Sequence, residues 1–127
     1  MGDRAFIVLH DKNGNISPTL YLHWGGSSVS ELLQKACSYM AGRPGDVSYA
    51  FARLVGVCHV RTYGNLGLGA FNGPETLDKA KTKDYSHGDA GVFLVDVSSP
   101  EWKAEAHNGY GFGRDNPKTR TFAPAAE

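Results

Sequence analysis

Two apolar helical stripes stand back to back between residues 29 and 59, and they restrict the fold more than any other feature. Val29, Leu32, Leu33, Ala36, Cys37 and Met40 recur at i, i+3, i+4, i+7, i+8 and i+11, the spacing of one buried helix face. Gly42 stands where a left-handed helix end is wanted, and Pro44 blocks continuation. Asp46 then caps a second helix whose stripe is Val47, Ala50, Phe51, Leu54, Val55 and Cys58. The first helix is expected over about 29–41 and the second over about 47–59. Gly56 weakens the second helix, and a close packing contact is expected there. Two helices with one apolar face each need a sheet to cover, and the flanking sequence supplies strands.

Ala5–His10 is a continuous apolar run of strand length, followed by the turn signal Asn13-Gly14. The return strand covers Ile16–His23 and begins at an edge or just beyond Pro18, which cannot donate to a ladder. Glycines between Gly64 and Gly73 mark a short irregular strand that something approaches closely. Ala90–Val97 is a second apolar strand, and Glu101–His107 alternates Trp102, Ala104 and Ala106 with charges, as a half-buried edge strand would. The order β-β-α-α-β-β-β implies an α+β domain: a mainly antiparallel sheet of about five strands with two helices on one face. Residues 1–110 form this single domain, and 111–127, rich in glycine, proline and polar residues, read as a flexible C-terminal tail.

The 127 residues carry 13 basic and 13 acidic side chains. This balance argues against a nonspecific nucleic-acid binder, whose affinity comes from neutralising phosphates. No apolar run approaches the length of a membrane helix, and no signal peptide precedes the first strand, so the expected compartment is the cytoplasm. Cys37 and Cys58 fall on the two apolar stripes and read as buried thiols, although a disulfide between them is open if the helices pack at matching height. No cofactor is implied.

Binding residues are expected at two places. In His23-Trp24-Gly25-Gly26-Ser27, a strand end turns through glycines into a helix start, with Ser28 and Glu31 spaced as a capping box. Backbone N–H groups at such a junction suit a phosphate or carboxylate. In Ser86-His87-Gly88-Asp89, His87 and Asp89 have the spacing of a base with its orienting carboxylate, and equally of a turn. Tyr63 and Tyr85, with Arg61 and Arg114 near in sequence to such rings, suit base stacking with phosphate pairing or a protein-interface hot spot. A nucleophile in a catalytic context is missing, since neither serine of 27–28 sits in a G-x-S-x-G elbow.

Arg4-Ala5, Leu22-His23-Trp24-Gly25-Gly26, Ala41-Gly42-Arg43-Pro44-Gly45-Asp46 and His87-Gly88-Asp89-Ala90-Gly91 together resemble a group of small proteins carried by phages and prophages. The resemblance spans roughly residues 4–97 and brings no catalytic residue with it. It implies a protein acting in the host cytoplasm against a host defence system, by binding a defence protein. The alternatives are sequestration of a small nucleotide signal and a small hydrolase using His23 or His87 with Asp89. A homodimer paired along the Glu101–His107 edge strand is also left open.

Overall fold

A computed structural model describes residues 3–62, 67–85, 89–112 and 118–125, without the side chains at 61, 62 and 84. The fold is α+β. Its sheet is built from β1 (Ala5–His10), β2 (Thr19–Leu22), β3 (Leu68–Phe71), β4 (Gly91–Asp96), β5 (Trp102–His107) and β6 (Thr119–Phe122). The helices are α1 (Val29–Tyr39), α2 (Val47–Thr62) and the single turn α3 (Leu77–Ala80). The sheet order is β3-β2-β1-β4-β5-β6. Four of its five pairings are antiparallel, and β1 pairs parallel with β4, placing Ala5 opposite Gly91 and His10 opposite Asp96.

Two layers cover the sheet. On one face α1 and α2 bury Ile7, Leu9, Leu20, Leu22, Phe93 and Trp102 against Leu32, Leu33, Ala36 and Leu54, each fully buried large side chain contributing roughly 1.5–3 kcal/mol. On the other face Phe6, Val8, Val92 and Leu94 form a smaller core with Ala80, Leu77 and Tyr85, from the connection that holds α3. β1 and β4 are therefore covered on both sides, which is why both read as unbroken apolar runs. β5 keeps its alternation because the second layer stops short of it, leaving Lys103 and Glu105 exposed.

Three expectations need correction. β5 is not an edge strand: Thr119–Phe122, inside the stretch read as a tail, pairs along it and buries Phe122. The sheet edges are β3 and β6, so a homodimer cannot pair along β5. Ser28 makes no side-chain capping bond to α1, because Gly26–Ser28 winds as a 3₁₀ turn directly into the helix and Ser28 lies near helical dihedrals (φ −101°, ψ 4°) rather than the extended ones a cap requires. Gly45, not Gly42, takes the left-handed conformation between the helices (φ +84°). Other local readings hold. Asp46 Oδ1 accepts the Tyr49 N–H at 3.1 Å and starts α2. β2 begins just beyond Pro18, and a Cβ on Gly73 would collide with the Ser17 carbonyl. Cys37 and Cys58 are free and buried. No helix among the described residues is long and apolar enough to cross a membrane.

Candidate functional site

The glycine junction before α1 is tied down by the protein's own Asp3. Asp3, just ahead of β1, accepts the Ser27 N–H on Oδ2 at 2.9 Å, and its carbonyl accepts the Gly26 N–H at 2.8 Å. The Tyr110 hydroxyl donates to the other carboxylate oxygen. Burial, followed by the Asp3 carboxylate, pushes the Tyr110 phenol well above its usual range. Gly26 is required here: a Cβ would lie 2.7 Å from both the Ala90 Cβ and Asp3 Oδ1. Asp89 is engaged beside it. Its Oδ2 accepts the Arg4 backbone N–H at 3.0 Å and Arg4 Nε at 2.8 Å, and this pairing holds the guanidinium pKa above its ordinary value. Ala90 N–H returns to the Arg4 carbonyl, and Tyr110 N–H to the Asp89 carbonyl. Four chain segments, at Asp3, Gly26, Asp89 and Tyr110, are thus tied into one cluster.

His23, Trp24 and Tyr85 belong to an aromatic run across the second face. His23 Nδ1 and the Tyr21 hydroxyl share a hydrogen bond of 2.6 Å, and the Trp24 ring stands edge-on to His23 with centroids 4.4 Å apart. Phe6 meets Tyr21, Phe71 and Tyr85 edge to face at 5.4–5.7 Å. The Tyr85 hydroxyl lies 2.5 Å from Thr19 Oγ1, which ties it to the buried floor. Trp24 is 61% exposed; Gly25 is half-buried and packs on Leu22. The structure therefore joins Gly26, Ser27 and Asp89 in one cluster and links His23 and Trp24 to Tyr85 through a chain of edge-to-face rings. Tyr63, His87 and Arg114 lie outside the described residues, as does the side chain of Arg61 on α2.

A different feature went unread in the sequence. α2 carries a second stripe, Tyr49, Ala52, Gly56 and Val60, at i, i+3, i+7 and i+11 on the side away from the core. With Leu32, Lys35 and Tyr39 of α1, the last three of these residues line an open groove of about 620 Å³ between the helices, together with Arg53 and Val57. Tyr39 is 68% and Val60 72% exposed. A helix of a globular domain normally turns polar residues to solvent on this side, so the stripe's spacing was the signal that could have located the groove. Arg43, in the α1–α2 linker, lies over the Tyr49 ring, 3.7 Å from its centroid.

A second depression, of about 720 Å³, lies between the β1–β2 hairpin and the α1–α2 linker. Its polar groups engage one another: Asp11 accepts from the Asn13 and Asn15 backbones and the Asn15 amide, and Asp46 from Arg43 and Tyr49. Nucleophilic chemistry finds no support at the thiols. Burial pushes Cys37 up to about 11 and Cys58 up to about 12, so both stay protonated at neutral pH.

No family model, curated protein or solved structure matches the chain.

Proposed function

We propose that this chain is a non-enzymatic binding protein that occupies another protein through the outer face of α1 and α2. The observation that carries the reading is the groove itself. Tyr39, Ala52 and Val60 present apolar surface to solvent, over half-buried Val57 and the buried Leu32 at the groove floor, where a purely structural helix pair would present charge. Aromatic and arginine side chains at the rim, Tyr39, Tyr49 and Arg53, are the types that anchor protein interfaces. The resemblance to phage-borne proteins makes a host defence protein the partner class, met in the host cytoplasm. A second reading, sequestration of a small nucleotide, draws on Trp24, an exposed ring beside His23 that could stack on a base.

Affinity capture with the full chain separates the two. Val60→Glu and Tyr39→Glu alter exposed positions and leave the core intact. A stoichiometric protein partner lost with these variants, and kept with Trp24→Ala, supports the protein-binding reading. Capture indifferent to both groove variants refutes it. A co-purifying nucleotide detected by mass spectrometry and lost with Trp24→Ala supports sequestration instead.

A further inference from the structure

We propose that the segment seated in this groove is an α-helix of a different protein, with an apolar ridge flanked by carboxylates; the proposal rests on the protein-binding reading of the same groove.

The shape selects a helix. Ala52, Gly56 and Val60 are spaced by four along α2, the row that interdigitates with a like row on a crossing helix. They span two turns, about 12 Å. Gly56 sits at the middle of the row. A Cβ there would meet nothing within 4 Å, so the expected close contact at this glycine is not made among the described residues. A missing side chain in the centre of an exposed apolar row admits the backbone of a partner, as small residues do at other close helix crossings.

The charge selects the partner's chemistry. Both charged residues lining the groove, Lys35 and Arg53, are cationic. Over its 16 residues α2 carries Arg53 and Arg61 and no acid. Glu31 lies 3.8 Å from Lys35 and is the acidic neighbour on α1; both are half or more exposed, and such a surface pair holds Lys35 weakly. A second copy of this chain is the less favoured occupant. A two-fold interface uses the same patch twice, so it would gather Lys35 and Arg53 of both copies into one interface, and like charges in one interface oppose association. Carboxylates flanking the apolar ridge of a foreign helix meet the same cations favourably.

The probe is a displayed library of small helical bundles with one randomised surface helix, selected on the full chain. Selected helices should carry apolar residues at i, i+3 or i+4, and i+7, with an excess of Asp and Glu beside them. Their affinity should fall about tenfold with Lys35→Glu combined with Arg53→Glu, the loss of two rim ion pairs. Val60→Glu and Gly56→Leu should abolish it, with far-UV circular dichroism unchanged. Selected helices that need Val60 and an open Gly56 but are neutral or basic overturn the acidic partner and leave the protein-binding reading standing. Binders indifferent to Val60→Glu and Gly56→Leu, or no enrichment, overturn both. A dimer in sedimentation that Val60→Glu dissociates overturns the foreign partner in favour of a second copy.

Discussion

Gly56→Ala should make the protein more stable and its groove a poorer receptor. A glycine in a helix interior is less favourable than alanine by about 0.8–1 kcal/mol, from the backbone freedom it loses on folding. Nothing offsets this gain, because the new methyl meets no atom within 4 Å. For 127 residues the unfolding entropy is about 270 cal/mol/K, so the melting temperature should rise by about 3–4 °C. Gly26→Ala is the matched contrast. The same methyl would stand 2.7 Å from the Ala90 Cβ and Asp3 Oδ1, and overpacking of this kind costs about 1–3 kcal/mol. Urea unfolding of the two variants beside the parent, with equal m-values, gives both differences directly. A Gly56→Ala variant that is neutral or destabilised would show that α2 needs this glycine for its own packing. The argument that it is kept open for a partner backbone would then fail.

Asp3→Ala removes the carboxylate that accepts the Ser27 N–H and the Tyr110 hydroxyl; a loss of about 1–2 kcal/mol is expected in urea unfolding, and an unchanged midpoint would deny the cluster a structural role. Phe122→Ala empties a buried site under β6 and should cost about 3–5 kcal/mol, with loss of hydrogen-exchange protection at Ala104, whose register partner is Arg120; full protection would show that β6 does not hold the sheet. The His10 imidazole titrates below its ordinary value of 6.5 because burial disfavours the cation, against the pull of Asp96, Glu105 and Asp11. Below pH 6.5 the unfolded chain therefore binds a proton that the folded chain resists, and stability falls as the pH drops through that window. His10→Gln should flatten the difference between urea midpoints at about pH 7.5 and about pH 5.5, and an undiminished slope would assign the effect to other groups.

The two long helices were readable because each buries one stripe against one sheet, and a 3.6-residue period survives in the sequence whenever burial is one-sided. β1 and β4 were readable as unbroken apolar runs for the opposite reason, burial on both sides. Their parallel pairing was not, since it joins segments more than eighty residues apart through a connection that carries β2, α1, α2 and β3. β6 offered too little signal: four residues, of which Phe122 alone is buried. β5 misled because its alternation records an uncovered sheet face rather than an unpaired edge. At the junction before α1, the glycines are legible as a tight turn, and the Ser27 N–H there meets a carboxylate of the chain itself. That this carboxylate is Asp3, 24 positions from Ser27, is tertiary information.

The second stripe of α2 raises a question that folding alone does not answer. The fold's demands on this helix fall on Val47, Ala50, Leu54 and Cys58, which are buried, on Phe51, Val55 and Val57, half-buried against the same core, and on Asp46 at its start. The opposite side could carry lysine and glutamate at no cost to that packing, and would then gain solubility and helix-stabilising pairs. It carries Tyr49, Ala52, Gly56 and Val60 instead, in a chain whose net charge of zero gives no electrostatic protection against association. An exposed apolar row around a glycine that lowers helix stability is a liability twice over for a free monomer. Both liabilities disappear when a second backbone lies along the row, and that is the physical ground for reading the groove as the working surface of the molecule.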